Sequence, residues 1–282
     1  MSQLGRELSE SEPEAFRVVW APPQSLARHV ACTWAERTSL AQPVLPDGAV
    51  DLVWSGRGLF VRGADTRPHP VDAFPGRTFV AVRFRPGAAA DVLGLRGREL
   101  ADARIGISLL WGREEMERLE ESLASCGTPR ATADVLEAAV AAHAERPPDP
   151  AVAAVVAALR ARREPIPVAA LAERVGFSER QLRRRCVAAL GYGPKTLDRI
   201  LRFQRFRRLA ARDRRLSLAE LATAAGYADQ SHLHRECVRL AGETPAAQLA
   251  GSRRPFRTRQ RVAAAVSSGR ALLPRESRAA DR

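Results

Sequence analysis

Lysine is almost missing from this chain. Of its 45 basic side chains, only Lys195 is not arginine. A bias toward Ala and Arg follows from GC-rich coding, so the arginine total alone names no partner. Cysteine is sparse as well. Cys32, Cys126, Cys186 and Cys237 are scattered without CxxC spacing, which argues against a zinc module or a disulfide framework and fits a cytoplasmic protein with reduced thiols. The longest clean apolar run, Ala151 to Leu159, falls far short of the roughly 20 residues that span a bilayer. Residues 1–16 are polar and acidic and lack the apolar core of a secretory leader. No phosphate loop, Ser/His/Asp order or metal-ligand cluster is visible, so no enzyme activity, catalytic residue or cofactor is expected. His232 and His234 stand two apart, on different faces of a helix, which argues against a shared metal. His29, His69 and Asp51 are the ligand types of the first half, and no metal is expected there.

What is present is a charge asymmetry. The formal net charge is +13, yet residues 1–150 carry 17 basic and 21 acidic side chains, whereas residues 151–282 carry 28 and 11. A half of net −4 is thus joined to a half of net +17. The basic half should meet a polyanion, either nucleic acid or an anionic membrane. Hydrophobic residues make up 45%, enough for real cores.

The first half reads as β-rich. Strands are predicted at 49–54, 59–62 and 78–84, where apolar residues alternate, with turn signals at Pro46-Asp47-Gly48 and Ser55-Gly-Arg-Gly58. Helical spacing follows near 88–93, 108–124 and 131–144, with Glu114, Glu115, Glu117, Glu120 and Glu121 as a solvated face. Trp20, Trp34, Trp54 and Trp111 are read mainly as core, with a ligand-lining tryptophan as the alternative. Pro147-Pro148-Asp149-Pro150 is the clearest breaker. The expected organisation is a 1–146 effector-binding or dimerisation domain, a 147–150 linker, a 151–250 helical domain and a 251–282 disordered basic tail. Beyond Ala151 no convincing strand is visible.

Residues 168–194 and 218–245 form an internal repeat. Leu171 pairs with Leu221, Gly176 with Gly226 and Phe177 with Tyr227 at an offset of 50. After one inserted residue, Leu182 pairs with Leu233, Cys186 with Cys237, Gly191 with Gly242 and Pro194 with Pro245. This is a duplicated unit: a short helix, a glycine turn and a second helix, N-capped by Ser178 with Gln181, or by Asp229. Ser217 with Glu220 caps the lead helix of the second unit. Such a unit is a helix-turn-helix. On the first recognition helix Leu182, Cys186, Ala189 and Leu190 face inward, and Glu179, Arg180, Arg183, Arg184 and Val187 face outward. Gln230, Ser231, His234 and Arg235 take the outward positions in the second unit. Arg suits guanine, Gln suits adenine, and Ser and His are adaptable partners. Together with Ser178 these are the candidate DNA-contacting residues. Arg185 is the weakest arginine of its run, because its counterpart is Glu236. Residues 195–211, apolar on one side and arginine-rich on the other, form a stiff helix between the units.

With Gly176-Phe-Ser-x-Arg-x-Leu-x-Arg184, Gly191-x-x-Pro194, Gly226-Tyr-x-x-Gln230-Ser-His-Leu-x-Arg235 and Gly242-x-Thr-Pro245, residues 151–250 resemble the AraC-type transcriptional regulators. Cys186 and Cys237 stand where that family usually has phenylalanine, a smaller contribution to the core. Leu45-Pro-Asp-Gly-x-x-Asp51-Leu-Val-Trp54 and Phe84-Arg-Pro-Gly-Ala88 are similar to an N-terminal domain of unknown role found on some of its members. The resemblance implies an α+β, two-domain fold. A β-rich, barrel-like N-terminal domain with helices precedes an all-α domain of two helix-turn-helix units joined by a linker helix. It also implies binding to double-stranded promoter DNA, contact with RNA polymerase, and a first half that binds a small-molecule effector or forms a homodimer. No membrane partner is expected. The alternatives are a nonspecific nucleic-acid-binding protein, a methyl-sensing DNA-repair regulator using Cys126, and an enzyme tethered to nucleic acid.

Overall fold

The computed structural model describes residues 15–37, 43–70, 76–106, 110–162, 164–251 and 261–262. Three strands stand where alternation predicts them: β3 (Asp51–Trp54), β4 (Leu59–Arg62) and β5 (Thr78–Phe84). Three more have no such signal: β1 (Phe16–Trp20), β2 (Val30–Arg37) and β6 (Arg104–Gly106). With β7 (Arg261–Val262) they form one sheet in the order β6-β4-β3-β5-β2-β1-β7. The pairings are antiparallel except that of β7 with β1. β7 departs from the expectation of no strand beyond residue 151. The rest of the expected 251–282 tail lies outside the described residues.

Among the described residues, the first half also holds the α-helices α1 (Ala89–Leu93), α2 (Gly97–Leu100), α3 (Arg113–Ala124) and α4 (Pro129–His143). Ala133, Leu136 and Val140 of α4 join Leu52, Val80 and Val82 in the core. Thr33 Oγ1 donates to Glu137 Oε1 at 2.5 Å beneath that helix. The glutamates of α3 are not all solvated. Glu120 accepts the Leu59 N–H, which ties α3 to β4, and Glu115 holds His143 at 2.8 Å.

The sequence pattern makes one side of β3 polar, but all four of its residues are buried. Trp34, Val53 and Ala81 form a second apolar layer on the other side of the sheet. Asp51 sits in this layer, 2% exposed. Arg83 grips its carboxylate at 2.8 and 3.0 Å, Arg62 bonds it too, and the Trp34 indole lies at 3.5 Å. Burial alone would raise the acid's pKa, but the two guanidiniums reverse that and hold it well below the usual carboxylate range.

The second half is helical: α5 (Pro150–Ala161), α6 (Val168–Arg174), α7 (Glu179–Leu190), α8 (Pro194–Arg212), α9 (Leu218–Ala225), α10 (Gln230–Ala241) and α11 (Pro245–Gly251). Phe203 and Phe206 of α8 are fully buried, each worth roughly 2–3 kcal/mol of apolar burial. The core runs without a break from the sheet into these helices. Gly97 and Gly191 meet back to back. A β-carbon on Gly97 would stand 2.4 Å from the Ala188 carbonyl oxygen, and one on Gly191 would stand 2.3 Å from the Gly97 carbonyl oxygen. Tyr192, Leu197 and Ile200 close over the Gly48 turn, and Gln204 donates to the Pro46 carbonyl at 2.5 Å.

Candidate nucleic-acid interface

Each helix pair is built by local capping. The Ser178 hydroxyl accepts the Gln181 N–H at 3.3 Å, and the Gln181 side chain returns to the Ser178 N–H at 2.9 Å. Ser217 and Glu220 repeat this box ahead of α9. Asp229 caps α10 through the His232 N–H at 2.6 Å. Gly176 and Gly226, at φ +72 and +89, make the turns, a backbone region that costs other residues free energy. Behind each turn the buried stripe includes Leu182, Cys186 and Leu190 on α7, and Leu233 and Cys237 on α10, as expected; Leu240 extends it on α10. Ala189 is only half-buried. Burial pushes the Cys186 thiol up to about 11 and the Cys237 thiol up to about 12.

The outward residues share one property. Ser178, Glu179, Arg180, Arg183 and Arg184 on the first unit are exposed, as are Gln230, Ser231, His234 and Arg235 on the second. Ser178 is occupied locally as a cap. The four arginines among them, 180, 183, 184 and 235, have no ion-pair partner among the described residues. Other arginines nearby are neutralised inside the protein. Arg185 bonds Asp149 at 2.7 Å and lies over the Phe177 ring at 4.4 Å. Arg199 grips Glu236 with two bonds of 2.8 Å. Arg162 and Arg202 share Asp198. Arg205 donates to the Leu159 and Arg160 carbonyls at the end of α5. Burial, and after it the neighbouring Arg202 and Arg205, lower Arg162 to about 10.

The ion pairs reveal a longer repeat than the motifs do. Asp149 and Arg199 are 50 apart, and Arg185 and Glu236 are 51 apart, the offsets of the duplicated unit. The pairs Asp149–Arg185 and Arg199–Glu236 therefore hold equivalent positions with the charges exchanged. α8 is at once the connector and the helix that precedes the second unit, as α5 precedes the first. The sequence signal was there, but opposite charges at equivalent positions do not look like a match.

Apart from His234, the histidines discussed above are placed elsewhere. His232 is half-buried and meets Tyr227 edge-on at 5.2 Å. His29 Nε2 donates to the Arg146 carbonyl at 2.7 Å, and His69 lies in a bridge with Val44. Asp51 is committed to arginine. No helix of the described residues is long and apolar enough to cross a membrane.

Residues 171–250 match the family model of a helix-turn-helix domain, and residues 19–106 match that of a domain of unknown function, DUF6597. No curated protein matches the chain significantly. Among solved structures, the DNA-binding domain of AdpA, a global transcriptional factor crystallised with a target DNA, is 30% identical; the match covers 38% of this chain and 98% of that one, with a TM-score of 0.36. A transcriptional regulator from Chromobacterium violaceum with an AraC-type DNA-binding domain is 27% identical, covering 38% and 95%, with a TM-score of 0.36. ToxT from Vibrio cholerae is 11% identical over 84% of this chain and 96% of its own, with a TM-score of 0.42. On the helix-turn-helix match and the identity across almost the whole AdpA domain, the chain belongs to the AraC-type family of DNA-binding transcriptional regulators.

Proposed function

We propose that the chain recognises specific promoter sequences by inserting α7 and α10 into successive major grooves of one duplex. Ser178, Glu179, Arg180, Arg183, Arg184, Gln230, Ser231, His234 and Arg235 form the contact surface. The observation that carries this reading is the sorting of the arginines: those on the outward faces of α7 and α10 lack a carboxylate partner among the described residues, whereas Arg185, Arg199 and Arg202 are paired internally. A guanidinium left free on a capped helix can form two parallel bonds to guanine O6 and N7. The exposed Arg207 and Arg208 of α8 supply phosphate contact, and with it much of the affinity. On this reading residues 151–250 are the DNA-binding domain and 147–150 the linker. Residues 1–146 bind an effector or a second copy, and RNA polymerase is the partner through which binding acts.

The test is a titration of the full chain against its selected duplex and a scrambled one at fixed salt. Arg180→Ala, Arg183→Ala and Arg235→Ala should each weaken the specific complex by about 1–3 kcal/mol and relax preference at a few base pairs. Equal binding to both duplexes would instead indicate a nonspecific nucleic-acid-binding protein.

A further inference from the structure

Among the described residues Val238 is the one large hydrophobic side chain that is exposed, at 44%. It lies on α10 one turn beyond His234 and two turns beyond Gln230. In an α-helix residues four apart stack on one face, so Val238 extends the outward stripe of Gln230, Ser231, His234 and Arg235. Its neighbours on either side behave differently. Cys237 is buried, and Arg239 is exposed beside the stripe. The corresponding residue of the first unit, 51 positions earlier, is Val187, and it is half-buried at the seam with α2, its carbonyl oxygen within 2.7 Å of a β-carbon placed on Gly97. The valine is thus half-buried in one unit and exposed in the other.

We propose that Val238 reads a thymine by packing against its C5-methyl group. The inference rests on the reading of α10 as a recognition helix. Valine can neither donate nor accept a hydrogen bond, so on a groove-facing surface it gains only from an apolar partner. In the major groove the unmodified bases offer one such group, the thymine methyl. Opposite any other base, Val238 covers a polar edge and supplies no bond, which disfavours that base. Val238 therefore adds an apolar specificity element to the polar contacts of Gln230, His234 and Arg235.

The experiment replaces the thymines of the full chain's selected duplex, one at a time, by deoxyuridine, which removes only the C5-methyl group. Wild type should lose about fourfold in affinity at one thymine, the effect of losing one buried methyl group. Val238→Ala should be insensitive at that thymine and unchanged at the others, whereas Val238→Ile should keep the sensitivity. If wild type binds its sequence specifically but no deoxyuridine step distinguishes it from Val238→Ala, the thymine contact is wrong while the recognition-helix reading stands. If wild type shows no sequence preference at all, both are wrong.

Discussion

At the residue scale, what an arginine does is decided by its nearest carboxylate. Arg183 and Arg199 are both arginines of the basic half, but Arg199 is bound at two points to Glu236 and Arg183 faces solvent. Arg199→Ala should therefore lower stability by about 1–2 kcal/mol, since both partners are largely buried, and leave base preference intact. Arg183→Ala should do the reverse. Thermal melts paired with sequence-resolved binding separate the two. Asp51 makes a complementary case. Because its carboxyl is held below the ordinary value of about 3.9, its contribution is complete above about pH 4 and is lost as the pH falls toward its folded value. Asp51→Asn leaves Arg83 and Arg62 without their charge partner, so it should cost about 3 kcal/mol at pH 7 and flatten the acid limb of the stability curve. Denaturant titrations at pH 7 and pH 3 read both effects. The buried thiols, pushed up to about 11 at Cys186 and about 12 at Cys237, should be labelled at pH 8 only as fast as the protein unfolds. Rapid labelling of either in native buffer would place it at the surface.

At the scale of elements, each recognition helix is tied by one ion pair to the helix that precedes its unit, and the two pairs have opposite polarity. Arg185 faces Asp149 at the cap of α5, and Glu236 faces Arg199 in α8. The polarity keeps partners from being exchanged, because Arg185 repels Arg199. Arg185→Glu should destabilise the chain, and Asp149→Arg should cost stability by itself because it removes the cap of α5; combined, the two should show about 1 kcal/mol of favourable coupling, a modest figure because this pair is partly exposed. A double-mutant cycle with purely additive changes contradicts the clip. The turns, caps and inward stripes of both units were legible in sequence because they depend on local chemistry. β2 was not, since consecutive residues Thr33, Trp34 and Ala35 are all buried, which removes the period of two. Thr33, fully buried against Glu137, reads as a surface residue until α4 is seen above it.

At the scale of the whole molecule, the opposite charge of the two halves suggested two domains, and their apolar residues meet in one continuous cluster. The close meeting of Gly97 and Gly191 joins the end of α7 to α2, and the Gly48 turn rests on α8. This seam was not legible, because glycine at 97 carries no local signal and its reason lies about a hundred residues downstream. Gly97→Val should force this contact apart and destabilise the chain by several kcal/mol, seen as a lowered melting temperature. The candidate DNA-contacting residues lie away from the seam, on faces that the first half leaves exposed. The central claim is that one chain presents two recognition helices to one duplex. Selection of bound sequences from random DNA by the full chain tests it most directly. The account predicts an asymmetric motif of two different blocks with centres about 10 base pairs apart, one helical turn, and loss of information in the first block alone on Arg183→Ala and in the second alone on Arg235→Ala. A single block, or no enriched sequence, would contradict it.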